Sequence, residues 1–507
     1  MTLKELLEVN IDKFGEYPFL YYREKQYTNL ETKKYADQLA SGLQSRLGIT
    51  KGDRVVVCME NCPEVIFSYQ GITRSGAVNV PVMFTLHPRE IHYIIKNCEA
   101  KAVICSAYTA EQVKKSLEGL ENPPAIIAAD LPSSEGVLSL YDLMTDNTLK
   151  EAEENDEDTA VILYTSGTTG NPKGVLLTHK NLYSNAVNSS EHSRAESGIT
   201  IGALPLAHVY GLTISNACFL TGSSVVIFSK FNPKEIFLAI EKYKIKSFSA
   251  VPAMIHAMVS YPKADDYDTS SLESVGSGSA PLPAALLNEF KNKFGAVVLE
   301  GYGLSEAAPV VTAHNKYIEI KPGSVGIPIP GVEIKIVDDF NEEVPVGDVG
   351  ELIVRGDNVT PGYYQNEEES KKVLQNGWLH TGDMARVDNE GYLYIVDRKK
   401  DLIIRGGLNV YPRDIEELLN GHEKVLEAAV VGVPDERMGE EMVACIVKKP
   451  GAEVTEEELI RICQEHLAKN KTPRSVVFME SLPRNGVGKI LKTHLRQTAA
   501  DIVSQIN

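Results

Sequence analysis

Apolar residues along this chain fall in short runs separated by helical spacings. Residues 2–14 place Leu3, Leu6, Leu7, Ile11 and Phe14 on one face, which predicts an amphipathic helix at the start. Short runs follow: VVVCM after Asp53-Arg54, then 77–81, AVICS (102–106), AIIAA (125–129), AVILYTS (160–166), SVVIFS (224–229), SFSAVP (247–252) and AVVLEGYG (296–303). Helical patterns lie between them, as through Val65, Ile66 and Tyr69. Strands alternating with helices predict a largely parallel α/β body. From 334 to 396 the pattern changes to alternating strands with Gly/Asp turns (VEIKIVD, GELIVRG, GYLYIVD), as in an antiparallel or barrel-like subdomain. The charged cluster DRKKD (397–401) closes that stretch. Beyond it the spacing predicts a helix over 411–420, strands over 425–433 and 441–448, a helix over 455–468 and a strand over 475–480. Thr455 and Glu458 have the spacing of a capping box, and Leu459, Ile462, Cys463 and Leu467 form the apolar face behind it. The expected fold is α/β: a large multi-subdomain N-terminal body over 1–397, with two parallel-type α/β sheets and a small β-barrel-like subdomain, and a small α+β C-terminal domain over 398–507.

Composition narrows the function classes. The chain has 507 residues, 43% hydrophobic and 24% charged, which is ordinary for a globular protein with a large core. A net charge of −18 argues against nucleic acid as a partner, because phosphate backbones need basic surface. Seven cysteines without a CxxC pair read as buried reduced thiols in a cytoplasmic protein. The first residues contain no apolar leader, and no run approaches the ~18 apolar residues of a membrane span. The acidic run EAEENDED (151–158) reads as a solvated connector.

One stretch carries chemistry. After the run 160–163 comes YTSGTTGNPKGV (164–175). Glycine lets backbone N–H groups approach an anion closely, the hydroxyls of Thr165, Ser166, Thr168 and Thr169 add donors, and Lys173 adds a full charge. Following a strand, this composition suits a polyphosphate cradle; from composition alone a plain surface loop fits equally well. GxxxxGK[ST] occurs nowhere in the chain, and GxGxxG does not occur here.

YTSGTTGNPKGV resembles the phosphate-loop signature of the adenylate-forming superfamily: acyl-CoA synthetases, firefly luciferases and peptide-synthetase adenylation domains. LPLAHVYG (204–211), GSGSAPLP (276–283), EGYGLSE (300–306), GELIVRG (350–356), WLHTGD (378–383), IVDRKKDLIIRGGLNVYP (395–412), VPDERMGEE (433–441) and PRNGVGKILK (483–492) resemble its other motifs, in its order. The resemblance spans most of the chain from 160 to 492 and implies a mobile C-terminal domain.

The resemblance also implies a two-step reaction: a carboxylate attacks the α-phosphorus of ATP, and a thiol then takes the acyl group from acyl-AMP. ATP, Mg²⁺ and coenzyme A are the implied cofactors, with a carboxylic acid as substrate and a monomer or homodimer as the working form. Residue by residue, it implies a phosphate cradle of Thr165, Ser166, Gly167, Thr168, Thr169, Gly170 and Lys173. Tyr302 faces the strip Gly278-Ser279-Ala280-Pro281 across adenine, Glu300, Gly301, Gly303 and Leu304 also bind ATP, and the Ser305 hydroxyl contacts phosphate. Ser305 stands where the family more often has Thr. Asp383 and Arg398 take the ribose, beside Ile395. Glu306, with Thr165, holds Mg²⁺, and Lys489, after Gly486 and Gly488, bridges carboxylate and α-phosphate. His208 marks the carboxylate end of an acyl pocket lined by Tyr210, Val251, Pro252, Met254, Gly301, Gly303 and Leu304. Ala207 sits where many relatives carry an aromatic ring. Lys400 is the implied hinge, Gly406 and Gly407 pass the pantetheine arm, and Arg405, Arg437 and Lys471 are candidates for coenzyme A phosphates.

No Asp precedes the pocket as in amino-acid-selecting relatives, and FSAVP (248–252) is apolar there. The expected substrate is a medium- or long-chain fatty acid, with an aryl acid second. The alternatives are a stand-alone enzyme loading a carrier-protein phosphopantetheine and a non-catalytic nucleotide-binding regulator. Lys489, Glu306, Asp383 and Arg398 together argue against the last.

Overall fold

The computed structural model describes residues 1–150, 153–165, 171–484 and 490–506. The chain divides into two compact units, one of residues 1–334 and 354–379, the other of 335–353 and 380–507.

The first unit is built on strands short and apolar enough to be covered on both faces. Seven form one sheet in the order Val137–Ser139, Ala125–Ala128, Ala102–Cys105, Arg54–Cys58, Val78–Pro81, Thr159–Thr165 and Lys173–Thr178. All neighbours are parallel except the last pair, a hairpin. The remaining runs form a four-stranded sheet (Ile199–Gly202, Ser224–Ile227, Pro18–Tyr22, Lys25–Thr28) and a five-stranded one from Ser247–Ala250 to Ile327–Pro328. The parallel strands of the body are thus spread over three sheets rather than two.

The N-terminal helix is Leu3–Phe14, started by a reciprocal capping box between Thr2 and Glu5. Leu3, Leu6 and Leu7 are buried as their spacing demands, but Asn10 is buried and Phe14 exposed. Asn10 is accommodated because its amide donates to Phe219 O at 2.7 Å and Tyr17 Oη at 3.0 Å.

Strands Val332–Val337, Gly350–Gly356 and Trp378–Val387 have residues in both units and belong to a five-stranded sheet completed by Leu374–Gln375 and Leu393–Arg398. The second unit continues with a sheet of order Leu408–Val410, Ile403–Arg405, Gly439–Lys448, Val425–Asp435, with Ser475–Met479 also pairing Gly439–Lys448. Both faces of that sheet are covered, and alternate residues of one strand go to opposite cores. Val430 joins Ile415, Leu419 and Leu459 from the helices Pro412–Asn420 and Glu456–His466. Val431 joins Leu495 and Ala499 of the helix Lys492–Ile506. Thr455 caps its helix by accepting from Glu458 N–H at 3.2 Å, as its spacing predicts. All seven cysteines are buried and unbridged. Burial pushes the Cys218 thiol up to about 12, so it stays neutral. No helix among the described residues is long and apolar enough to cross a membrane.

Candidate active site

The hairpin Thr159–Thr165/Lys173–Thr178 places Thr165 directly opposite Lys173. Its outer edge is not left open. Residues 360–364 run beside it: Leu176 N–H donates to Gly362 O at 3.0 Å, Tyr364 N–H donates to Gly174 O at 2.7 Å, and Val175 bridges Tyr363. The same segment catches the turn that carries Glu306, because Thr360 N–H donates to Glu306 O at 2.8 Å. Tyr363 Oη then donates to Glu306 Oε1 at 2.9 Å. Lys173 Nζ lies 5.6 Å from the centre of the Tyr363 ring and is ion-paired with Glu369. Burial, reinforced by the charge of Glu306, pushes the Tyr363 hydroxyl well above its ordinary value, so it is a donor at every working pH. Thr165, Lys173 and Glu306 are thereby brought together. Ser166, Gly167, Thr168, Thr169, Gly170 and Lys489 lie outside the described residues.

A second wall comes from two parallel strands. Ser274–Ser277 pairs with Val297–Gly303 so that Ser277 stands opposite Glu300. A side chain on Gly278 would then stand 3.7 Å from Gly301 O. Ser279, at φ +71°, turns the strip 279–281 outward, where it is exposed. Gly303 is dictated by a close approach: a Cβ there would lie 2.2 Å from Pro309 O. Leu304 N–H donates to that same oxygen at 3.0 Å. Tyr302 is half-buried next to this kink, at an irregularity between Tyr302 and Gly303 in the pairing with Val310–Ala313.

His208 caps the short helix Val209–Leu212, its Nδ1 accepting from Tyr210 N–H at 3.3 Å. Gly211 is required there, since a Cβ would strike Pro205 O at 2.1 Å. Tyr210 is hydrogen-bonded to Ser249, and its ring lies against Gly276 and Gly278. Val251, ahead of Pro252, and Met254 pack in the same apolar cluster as Tyr210, and Met254 is buried there. Tyr210, Val251 and Met254 of the acyl-pocket candidates thus share one apolar cluster.

In the second unit, Arg398 Nε meets Asp383 Oδ1 at 2.7 Å, with the Asp383 side chain 4% exposed and Arg398 49%. The two residues are opposite each other across paired strands, and Ile395, three residues before Arg398, stands opposite Ala385 past a register shift. Lys400 lies in the turn Lys399–Asp401, and burial pushes its amine below the usual lysine value. Gly406 and Gly407, at φ +58° and +80°, make the turn of the hairpin Ile403–Val410. Arg405 is engaged inside the unit, with Nη2 donating to Glu441 Oε1 at 3.1 Å and Nη1 donating to Asn470 O and Thr472 O at 3.1 Å each. Lys471 pairs with Asp414, and Arg437 is exposed. Arg405 bonds the backbone on both sides of Lys471 and stands opposite Gly439, two residues from Arg437, so the three cations sit on neighbouring segments.

Comparison with known proteins decides the family. Residues 7–364 match the family model for an AMP-binding enzyme, and residues 414–489 match that for an AMP-binding enzyme C-terminal domain. The chain belongs to the AMP-binding enzyme family. This AMP-binding enzyme is 34% identical to a long-chain-fatty-acid–CoA ligase of Bacillus subtilis (strain 168), over 97% of its own chain and 94% of that protein. It is 35% identical to a feruloyl-CoA synthase of Amycolatopsis sp, over 93% of each. Its fold matches the crystal structure of ATP-bound MatB from Rhodopseudomonas palustris with a TM-score of 0.90 and 31% identity, covering 99% of this chain and 100% of that one.

Two residues of the site escaped sequence reasoning. Tyr363 and Glu369 lie in GYYQNEEES, between the motifs GELIVRG and WLHTGD. The available signal was Asn366 three residues before Glu369, a helix cap that the structure confirms at 3.2 Å. Among the described residues no three His, Cys, Asp or Glu side chains cluster as a metal site.

Proposed function

We propose that this AMP-binding enzyme is an ATP-dependent acid–CoA ligase. It activates a carboxylic acid as acyl-AMP with release of pyrophosphate, then transfers the acyl group to the thiol of coenzyme A. The observation that carries this reading is the convergence of Thr165, Lys173 and Glu306 on one hairpin edge. The physical need is clear: carboxylate and ATP are both anions, and two unit charges ~4 Å apart repel by about 4 kcal/mol at an effective dielectric of ~20. That penalty is on the order of a thousandfold in rate, so cations and donors near the reacting groups are the main requirement. Lys173 serves the polyphosphate and Lys489 the reacting carboxylate and α-phosphate. Asp383 accepts from the ribose hydroxyls, with Arg398 held against it.

The donor set suits Mg²⁺: one hard carboxylate at Glu306 and the Thr165 hydroxyl, with phosphate oxygens completing the shell, and the ion when bound neutralises phosphate charge. The small domain swings about Lys400, within 397–401, to exchange Lys489 for the Gly406-Gly407 hairpin between the two steps. The buried thiols suit a cytoplasmic location.

The acid is a medium- or long-chain fatty acid, supported by the apolar cluster of Tyr210, Val251 and Met254 and by the long-chain-fatty-acid–CoA ligase relative. An aryl acid is the second reading, favoured by the Tyr210 ring beside Gly276 and Gly278 and by the feruloyl-CoA synthase relative. A pyrophosphate-release screen over alkyl acids of graded length and cinnamic acids, with coenzyme A or a phosphopantetheinyl carrier protein, tests both substrate and acceptor. Release peaking at C8 or longer with coenzyme A supports the first reading. A peak with cinnamates selects the second, and turnover only with the carrier protein replaces the acceptor. No release with any acid ends the proposal.

A further inference from the structure

Glu369 belongs to none of the motifs that point to adenylation, yet its carboxylate is paired with the one described cation of the phosphate cradle. The pair is partly shielded, with Lys173 16% and Glu369 25% exposed. It is also held by backbone. Lys173 is fixed opposite Thr165 in the hairpin, and Glu369 sits in the first turn of the helix Glu367–Val373, whose start is tied down by Asn366. The ring beneath Lys173 is Tyr363, whose hydroxyl holds Glu306. A carboxylate, an ammonium, a ring and a second carboxylate therefore form one continuous chain of contacts across the cradle.

We propose that Glu369 is a built-in competitor for the nucleotide polyphosphate: it occupies Lys173 in the resting site, and ATP binds by displacing it. The inference rests on the assignment of Lys173 to phosphate binding made above. A phosphate oxygen and the Glu369 carboxylate compete for the same ammonium. The apparent dissociation constant of any polyphosphate is then raised by the inverse of the fraction of Lys173 that is unpaired. The effect falls equally on ATP and pyrophosphate, so the same pairing that weakens substrate entry also speeds pyrophosphate departure. Ligands without phosphate do not feel it.

The test is calorimetric binding of Mg-ATP, Mg-pyrophosphate and adenosine to the full-length protein and to Glu369→Gln, Lys173→Gln and the double variant. Glu369→Gln is expected to tighten ATP and pyrophosphate by about three- to tenfold, for an unpaired fraction of roughly 0.1–0.3. Adenosine affinity stays the same. In the Lys173→Gln background the Glu369→Gln change has no effect. Unchanged or weaker ATP binding in Glu369→Gln, with the native protein binding ATP, overturns the competitor role and leaves the ligase reading intact. A native protein that binds neither ATP nor pyrophosphate overturns both. Should Glu369→Gln not fold, Glu369→Asp, whose shorter side chain reaches Lys173 less well, must still tighten ATP; affinity at or below native overturns the proposal.

Discussion

His314 holds the strand behind Tyr302 through bonds of opposite sense. Its Nδ1 donates to Glu300 O at 3.1 Å, and its Nε2 accepts from Lys321 N–H at 3.3 Å. Only the neutral ring can do both, because a proton on Nε2 would face another donor. Burial already pushes this imidazole below the ordinary histidine value. With the folded value depressed, the stabilisation is present above the unfolded value of about 6.5 and is lost as pH falls through the folded one. We expect the unfolding free energy of native protein, read from urea titrations, to drop more between pH 7 and pH 5 than that of His314→Gln, by on the order of 1 kcal/mol. Equal slopes would remove His314 from the account. Gly303 makes the second residue-scale prediction. Its missing Cβ leaves room for Pro309 O, a backbone atom that cannot swing aside. Gly303→Ala should abolish measurable ATP binding and lower stability by roughly 2 kcal/mol or more in thermal melts. EGYG was legible as a motif, but the reason for its last glycine was not. That reason depends on a turn bringing Pro309 back against the strand, a contact with no local sequence pattern.

Helices with strong spacing were legible and short elements were not. The helix read over 455–468 forms at Glu456–His466, and Leu459 and Cys463 of its predicted face are the buried pair. The hairpin Ile403–Val410 has strands of three residues each, and Ile404 and Leu408 are exposed, so no alternation marks it. The helix Lys492–Ile506 also went unread, although it carries a well-shielded ion pair of the second unit. Lys492 Nζ meets Glu416 at 2.8 Å, each side chain 17% exposed. Burial opposes the charge on Lys492, but Glu416 and Asp397 outweigh it and raise its amine above the usual value. Removing one partner leaves the other charge shielded and unpaired. Lys492→Met should therefore cost on the order of 3 kcal/mol in chemical unfolding, and Lys492→Met/Glu416→Leu should recover most of it. A double variant no better than the single one would show that packing, not charge, is at stake. The same helix reaches the proposed pivot: Arg496 Nη2 donates to Lys400 O and to Asp401 Oδ1, both at 3.0 Å.

For the molecule as a whole, the two-step reading makes one residue matter in one step only. Lys489→Ala should reduce acyl-AMP formation by at least a thousandfold, about the repulsion it is asked to offset, while thioester formation from supplied acyl-AMP stays within tenfold of native. Quenched-flow assay of the two half-reactions checks this, and parallel loss of both would contradict a swinging lysine. The order of motifs made the α/β body and the family legible from the chain alone. It gave no sign of Tyr363 and Glu369, because contacts between a hairpin edge and a segment nearly two hundred positions later leave no periodic trace.

The path of the chain has a further consequence. It passes between its two units three times, at 334–335, 353–354 and 379–380. A recombinant gene joined from two parents at a single point near 397 would inherit strand 378–387 from one and everything after the junction from the other. Asp383 and Arg398, 2.7 Å apart, would then have different ancestries. Shuffling that respects the architecture must instead exchange 335–353 together with 380–507, so natural exchange of this tail between relatives is expected to favour paired crossovers over single ones.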